Sequence, residues 1–294
     1  MDPPVSTDAF SAHEELTLSG LYLHPIKSCA GIAVDEALLI ETGLEHDRAW
    51  MVVDAQGEFL TQRQLPRMAL VRPTLRASDV VLRAPGMLAL HLLLDGVEAP
   101  CRVKVWNDTV AAFDMGDLAA QWFSDYLGHR VRLARFDPCG RRLCDTRWTG
   151  AFEAETAFTD GFPLLVTSTA SLAELNRRLL AGGHDAVAMQ RFRPNLVLDG
   201  LADANGEDFI DELTIESIDG PVLLKLVKPC GRCSIPDVDP ASAAQGHAVA
   251  DTLAAYRAEP RIGGGLAFGM NAIIVSGVGH RLRVGARAQA SLNF

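Results

Sequence analysis

Short strand-like segments, separated by turn signals, dominate the first half of the chain. Apolar runs occupy residues 68–75, 80–83, 87–94 and 101–106, and residues 54–57 (Asp-Ala-Gln-Gly) have the composition of a hairpin turn. Short strands at this spacing are typical of a β-sandwich or a β-barrel. The sequence therefore predicts a β-rich unit in the N-terminal half.

The second half of the chain alternates strand and helix patterns. Ser171 followed by Glu174 has the pattern of a capping box, which predicts a helix that begins at Ser171. Further strands are predicted at residues 163–167, 193–198, 213–226, 272–276 and 281–286, and further helices at 116–126 and 247–256. The patterns predict an α+β, predominantly β protein, with one domain at 15–135 and another at 136–294.

Charge and composition limit the classes of partner. The chain has 37 acidic and 27 basic residues, a net charge of −10, which argues against nucleic acid as the main partner. Any anion must then be held by a local cluster of basic residues. No run reaches the roughly 18 apolar residues of a membrane span, and residues 1–6 lack the features of a signal peptide. We therefore expect a cytoplasmic protein with reduced thiols.

The loop at residues 228–240 contains the highest density of thiol, carboxylate and guanidinium side chains that could act in a functional site. Cys230, Arg232, Cys233, Asp237 and Asp239 lie within ten residues, and three prolines restrict the backbone of the loop. A thiolate beside cationic donors suits a soft metal centre that has an anionic tail. On spacing alone, half of a zinc site, redox chemistry, another metal and a plain turn all remain open.

Three other places carry candidate functional residues. The loop at 25–31 offers Lys27, a hydroxyl and backbone amides, which favours either an anion cradle or an ordinary turn. Arg193 and Asn195 would share one face of the strand at 193–198, which favours either a site with a polar partner or a solvated edge strand. Cys139 and Cys144 suggest a four-thiolate zinc site with the loop cysteines, but their unequal spacing argues against it.

Several separate motifs, in the right order, make the chain resemble the MOSC family. It is most similar to the branch with a β-rich MOSC N-terminal domain, which includes the mitochondrial amidoxime-reducing component and bacterial proteins that detoxify N-hydroxylated bases. The resemblance covers roughly residues 16–284. It is carried by residues 24–29 (His-Pro-Ile-Lys-Ser-Cys), 47–50 (Asp-Arg-Ala-Trp), 193–195 (Arg-Pro-Asn), 229–233 (Pro-Cys-Gly-Arg-Cys), 238–240 (Val-Asp-Pro) and 268–271 (Phe-Gly-Met-Asn).

The resemblance implies a fold and a set of site residues. It implies a MOSC β-barrel with flanking helices, a smaller β-rich N-terminal domain, a first hairpin that returns to the barrel, and a cleft between the domains. Cys233 would be the molybdenum ligand of a molybdenum cofactor (Mo-molybdopterin). The other residues that it places around the cofactor are Lys27, Ser28, Arg48, Thr167, Ser171, Arg193, Asn195, Arg232 and Asn271. Met270 stands where relatives often carry Gln.

The implied activity is the two-electron reduction of N-hydroxylated compounds. Asp237 is the candidate proton donor, whereas Asp239, which precedes a proline, is expected to fix a turn. Because the chain shows no iron–sulfur cysteine cluster, a separate electron-donor protein is expected. Unlike the mitochondrial relatives, the chain is expected to lack an N-terminal membrane anchor. The alternatives are a non-catalytic carrier of the cofactor or of sulfur, and a zinc-stabilised β-rich binding protein. The role of Cys230 stays open.

Overall fold

The computed structural model describes residues 13–293, with side chains from residue 14 onward. The strands are β1 (His13–Leu23), β2 (Ile32–Val34), β3 (Glu36–Ile40), β4 (Gly43–Leu44), β5 (Trp50–Val53), β6 (Arg72–Leu75), β7 (Asp79–Arg83), β8 (Leu90–Leu93), β9 (Ala99–Val105), β10 (Asp108–Asp114), β11 (Arg132–Phe136), β12 (Leu164–Ser168), β13 (Leu196–Asp199), β14 (Ile210–Ile215), β15 (Val222–Gly231), β16 (Ala258–Glu259), β17 (Gly265–Ser276), β18 (Arg281–Arg283) and β19 (Arg287–Leu292). The prediction about residues 1–6 lies outside the described residues.

Helices are fewer and mostly short. The α-helices are α1 (Gly116–Leu127), α2 (Thr146–Thr149), α3 (Thr169–Ala181) and α4 (Ala248–Ala254). Short 3₁₀ turns lie at Pro66–Leu70, Met189–Phe192, Gly206–Phe209, Ile235–Asp237 and Pro260–Ile262. Within the described part of the chain, no helix has the length and apolar character needed to cross a membrane.

Seven strands close into a barrel. Their order is β12-β13-β1-β19-β14-β15-β17, and β12 also pairs with β17, which joins the two ends of the path. Closure pairs the strand edges that an open sheet would expose. The first strand, β1, pairs with β13 and β19, so N-terminal sequence completes a barrel built mainly from the C-terminal half. The predominantly β fold class is confirmed.

A second β-rich unit contains a four-stranded sheet (β5-β11-β10-β9), a three-stranded sheet (β6-β7-β8) and α1. Helix α1, predicted at 116–126, buries Trp122, Phe123 and Tyr126, and it ends before Gly128, whose φ of 71° suits a glycine cap. The strand predicted at 68–75 is only partly correct. A 3₁₀ turn at Pro66–Leu70 precedes β6, because a proline at the first position favours a helical turn.

Three boundary predictions are wrong near the barrel. Helix α3 begins at Thr169, and the Ser168 hydroxyl caps it by accepting a hydrogen bond from the backbone N–H of Ser171. Strand β13 begins only at Leu196, since Arg193 has a left-handed φ of 56° at the end of a 3₁₀ turn. At the C-terminus, residues 272–276 belong to the longer β17, and β19 was not predicted.

Candidate functional site

A cavity of about 590 Å³ lies between the β-rich N-terminal unit and the barrel. Both halves of the chain contribute to its walls. The predicted site residues that line it are Lys27, Ser28, Arg48, Arg193, Asn195, Arg232, Cys233 and Asn271. The fold therefore brings together eight side chains that are separated by up to 244 positions in the sequence.

The loop before β2 holds a buried ammonium group at the cavity. The backbone N–H of Lys27 donates to the Trp50 carbonyl, so the loop is fixed to the start of β5. The Lys27 Nζ atom donates to the Phe158 carbonyl at 2.8 Å and to Asp160 Oδ1 at 2.6 Å. Burial lowers the pKa of Lys27, although the Asp160 carboxylate opposes that shift. A second anion in the cavity would favour the charged form of this lysine.

Arg48 ties the loop at 46–48 to the barrel. Its guanidinium donates to the Asp47 carboxylate, to Asn195 Oδ1 at 3.0 Å and to the Arg193 carbonyl at 2.8 Å. Asn195 is almost fully buried and also accepts from the Leu165 N–H. Because its carbonyl oxygen is already used twice, Asn195 orients Arg48 within the cavity wall.

Arg193 brings an incompletely paired guanidinium to the same wall. Its Nη1 donates to the Cys29 carbonyl, while its Nη2 is buried without a hydrogen-bond partner in the described structure. Burial and the nearby Arg48 cation lower the pKa of Arg193. A buried donor that lacks a hydrogen-bond partner is destabilising. An acceptor that enters the cavity would therefore form a favourable hydrogen bond with Arg193.

The predicted metal ligand opens into the cavity beside Arg232. Cys233 is exposed and lines the cavity, as does the partly buried Cys230. Arg232 donates to the Cys230 sulfur at 3.0 Å and to the Phe192 carbonyl at 3.0 Å, and its buried Nε has no partner. Cys230 is therefore engaged by Arg232, whereas the Cys233 thiol is accessible from the cavity.

Strained backbone concentrates at this cavity. Seven non-glycine residues in the described chain have a positive φ, and four of them line the cavity: Ser28, Arg48, Trp106 and Arg193. Left-handed conformations at such residues cost roughly 1–3 kcal/mol each and collect at functional sites. The strain therefore points to this cavity independently of the residue types in its walls.

Two predicted cofactor contacts are engaged elsewhere in the fold. The Thr167 hydroxyl donates to the Leu196 carbonyl, and the Ser171 hydroxyl donates to the Glu207 carboxylate at 2.6 Å. Both residues are buried, and neither is among the residues that line the cavity. Their predicted contact with a cofactor has no support from the positions of their side chains.

Neither carboxylate of the 228–240 loop is among the cavity-lining residues. Asp237 is buried, and its Oδ1 accepts from the N–H groups of Val249 and Ala250 at the start of α4. Asp239 accepts from Arg191 and from two backbone amides of the turn, as expected for an Asp before Pro. Helix capping accounts for the position of the Asp237 carboxylate, and its assignment as proton donor stays a prediction.

The remaining cysteines do not form a metal cluster. Cys139 is exposed and Cys144 is buried, and burial raises the pKa of the Cys144 thiol to about 12. Among the described residues, no group of three or more His, Cys, Asp or Glu side chains is placed to hold a metal ion. The four-thiolate arrangement is therefore not assembled in this structure.

Sequence reasoning missed several residues at the cavity. Asp160 and Trp106 line it, and Arg142 holds the neighbouring loop by donating to the Ala157 and Thr159 carbonyls. Trp106 follows β9, and its φ of 55° places it in a tight turn before β10. The Trp-Asn-Asp turn signal was available in the sequence, but the isolated Asp160 had no spacing pattern to mark it.

We expect that replacing Arg193 with methionine weakens the binding of inorganic phosphate by about tenfold, because a charge-assisted hydrogen-bond donor is lost. Calorimetric titration of the purified protein with phosphate measures this effect. Arg147→Met is the matched control, since Arg147 is 83% exposed and outside the cavity lining. Equal phosphate affinity in Arg193→Met and the unmodified protein would contradict the assignment of an anion site here.

Two family models match this chain, and together they cover most of its length. The model of the MOSC N-terminal beta barrel domain matches residues 15–130, and the model of the MOSC domain matches residues 153–288. The domain boundary at 135/136 falls between these matches and stays a prediction.

Curated relatives match across most of the chain. Mitochondrial amidoxime reducing component 2 of Bos taurus is 36% identical over 76% of this chain and 67% of its own length. Mitochondrial amidoxime-reducing component 1 of Homo sapiens is 34% identical over 76% of this chain and 66% of its own length. The chain thus spans about two thirds of these relatives.

The crystal structure of the YUAD protein from Bacillus subtilis is 10% identical, with 96% of this chain and 99% of that chain covered and a TM-score of 0.46. The two domain matches and the identity to the curated relatives agree with each other. The chain therefore belongs to the MOSC family, in the branch that carries a MOSC N-terminal β-barrel domain ahead of the MOSC domain.

Proposed function

We propose that this protein is a molybdenum-cofactor-dependent reductase of N-hydroxylated compounds. The single observation that carries the proposal is the composition of the cavity. An accessible thiol, Cys233, shares it with the cations Lys27, Arg48, Arg193 and Arg232, in a chain whose net charge is −10. A local cationic cluster beside a soft ligand suits a cofactor with a thiolate-bound metal and a phosphate tail.

The residues present fit such a cofactor. Two buried donors, Arg193 Nη2 and Arg232 Nε, lack partners within the described structure and would gain them from an anionic, acceptor-rich ligand. Lys27 and Ser28 would hold the phosphate, with Arg193 adding charge-assisted hydrogen bonds. Cys233 would provide the protein's sulfur ligand to the metal. Thr167 and Ser171 are not part of this proposed set, because their hydroxyls are engaged inside the fold.

The proposed reaction converts an N–OH group to N–H and releases water, consuming two electrons and two protons. When bound, the cofactor would supply a reduced metal centre able to accept the oxygen. The chain's own residues bind the anionic tail, fix the thiol at the cavity and enclose the substrate. A separate electron-donor protein would deliver the electrons. The names of the amidoxime-reducing relatives support N-hydroxylated small molecules as substrates. A cytoplasmic location stays a prediction.

Elemental analysis and a pterin fluorescence assay on the same purified sample test the proposal. Molybdenum and pterin at about one per chain, with reduction of an amidoxime by an artificial electron donor such as reduced viologen, would support it. Cofactor without turnover would favour the alternative, a carrier of the cofactor or of sulfur. Zinc without pterin would contradict both. If neither metal is found, reconstitution with isolated cofactor decides whether the site can be filled.

A further inference from the structure

A second, smaller cavity lies against the turn that follows Cys233. Its volume is about 190 Å³, compared with about 590 Å³ for the first cavity, which contains Cys233. Among the described residues, the two cavities share only Arg193 and Ile235 in their linings. Sites for drug-sized ligands occupy roughly 300–1,000 Å³, so the second cavity is a separate space that suits a smaller molecule.

Part of the lining of the second cavity is apolar. Ile235, Val238 and Pro240 contribute to it from the turn that follows Cys233. Ala69 contributes from the 3₁₀ turn before β6, so the N-terminal unit also takes part. The second cavity therefore offers a ligand an apolar contact surface beside its polar groups, which is the usual composition of a small-molecule site.

The charged part of the lining is cationic. Arg72, Arg191 and Arg193 line the second cavity, and none of the described residues in its lining is acidic. Arg191 is already engaged, because it donates to the Pro236 carbonyl at 3.1 Å and to Asp239 Oδ2 at 2.9 Å. The other two guanidinium groups are therefore the ones available to a ligand, in a chain whose net charge is −10.

The side chain of Arg72 has no hydrogen-bond or ion-pair partner within the described part of the chain. Arg72 is exposed at the start of β6, directly opposite the exposed Arg83 of β7. Residues directly opposite each other in an antiparallel pair point to the same face of the sheet, and like charges there repel each other. An anion bound beside Arg72 would reduce this repulsion, so the two arginines are an independent indication of an anion site.

Arg193 is common to the two cavities. Its Nη1 donates to the Cys29 carbonyl, and its Nη2 is buried without a hydrogen-bond partner among the described residues. The residues that follow Cys29, Ala30 and Gly31, also line the second cavity. An oxygen acceptor that binds beside Arg193 would pair a buried donor, and this is favourable because unpaired buried donors are destabilising.

We propose that the second cavity binds a small organic carboxylate. Its carboxylate group would bind Arg72 and Arg193, and its apolar body would contact Ile235, Val238 and Pro240. A guanidinium group matches the planar, two-oxygen geometry of a carboxylate, and the apolar lining favours an organic acid over inorganic phosphate. The inference goes beyond the proposed function and does not rest on it, because it needs neither the cofactor nor turnover.

Three probes separate the contributions of charge and apolar body. Benzoate has both, inorganic phosphate has only the charge, and benzyl alcohol has only the apolar body. NMR titration of methyl signals in the purified protein gives the place and the affinity of binding together. Ala69, Val238 and Ala241 line only the second cavity, whereas Leu164 and Leu266 line only the first.

We expect benzoate to shift the methyl signals of Ala69, Val238 and Ala241 in a saturable way. At this cavity it should bind about tenfold more tightly than benzyl alcohol, because it adds charge-assisted hydrogen bonds. It should bind about threefold or more tightly than phosphate, because its ring contacts the apolar lining. This comparison uses the unmodified protein and requires no variant to fold.

Arg72→Met tests the guanidinium that has no partner in the protein. It should weaken benzoate at the second cavity by about three- to tenfold, the modest loss expected for a charged contact at an exposed position. The replacement leaves no protein group unpaired, so the variant should fold. Arg76→Met is the matched control, since Arg76 is exposed, has no side-chain partner in the described structure and lines neither cavity. Its benzoate affinity should stay within about twofold.

Binding in the wrong place or without the charge would overturn the inference. Benzoate shifts confined to Leu164 and Leu266 would assign the anion to the first cavity alone. Equal affinity for benzyl alcohol, or unchanged benzoate affinity in Arg72→Met, would show that the carboxylate group is not recognised. Phosphate that binds the second cavity as tightly as benzoate would exclude an organic acid as the preferred ligand. All of these results are obtained without turnover, so the proposed reductase activity stands or falls separately.

Discussion

Replacing Cys233 with alanine is expected to reduce the turnover of an amidoxime by more than about 100-fold and to leave less than a tenth of the molybdenum bound. The thiol is exposed at the cavity, where it would be the protein's own ligand to the metal. Loss of a residue that merely supports a ligand already costs about 10–100-fold in affinity or activity, so loss of the ligand itself should cost more. Metal content and turnover are measured on the same preparation.

The control for this variant is another accessible cysteine. Cys139→Ala removes an exposed thiol that does not line the cavity, and we expect molybdenum content and turnover to stay within about twofold of the unmodified protein. Serine at position 233 adds a stringent version of the test, because it preserves size and replaces only the sulfur. Full metal content and full activity in Cys233→Ser would rule out the proposed mechanism.

The residues that line the cavity differ in how well the sequence predicted them. Lys27, Arg48, Arg193 and Cys233 belong to local motifs, and the structure brings all four to one cavity. The predicted reason for the position of Arg193 was nevertheless wrong. It precedes the strand in a left-handed conformation and does not share a strand face with Asn195. Sequence patterns identified the residues, but tertiary contacts determined their backbone geometry.

Carboxylates were the least predictable part of the site. Asp237 lies close to Cys233 in sequence, yet its side chain points to the first turn of α4, whose free N–H groups need an acceptor. Asp160 lies 73 positions before Cys233 in sequence, yet it lines the same cavity. Asp237 was predicted because it is close to Cys233 in sequence. Asp160 lines the cavity because the N-terminal unit and the barrel pack against each other, and no sequence pattern indicates that contact. A similar limit applies to Ser168, which caps α3 although the pattern pointed to Ser171.

Asp47→Asn is expected to destabilise the protein by about 3 kcal/mol at neutral pH. The Asp47 side chain is 1% exposed, accepts from the His24 N–H at 2.7 Å and pairs with Arg48. Removing one charge of a buried pair leaves the other without compensation. Because Arg48 keeps its bonds to Asn195 and to the Arg193 carbonyl, we expect the lower end of the usual range. Urea unfolding followed by circular dichroism measures the change.

The pH dependence gives this prediction a definite sign. Burial alone would raise the pKa of Asp47, but Arg48 and His24 hold it at about 2, below the ordinary value of 3.8. A depressed pKa contributes stability that is fully present above pH 3.8 and is lost as the pH falls through about 2. The difference of about two pKa units corresponds to roughly 2–3 kcal/mol. The difference in free energy of unfolding between the unmodified protein and Asp47→Asn should therefore decrease from pH 5 to pH 2.

A surface carboxylate separates this effect from general acid denaturation. Asp117 pairs with Arg132 but is 97% exposed, so Asp117→Asn should change stability by less than about 0.5 kcal/mol at neutral pH. If the difference in free energy of unfolding between Asp47→Asn and the unmodified protein stayed constant from pH 5 to pH 2, the ion pair with Arg48 would not be the cause of the destabilisation. Bound phosphate should also reduce this difference, since an anion in the cavity would partly compensate the Arg48 charge that Asp47 no longer balances. The Arg48 guanidinium thus couples the stability of the anion-free protein to its affinity for an anion.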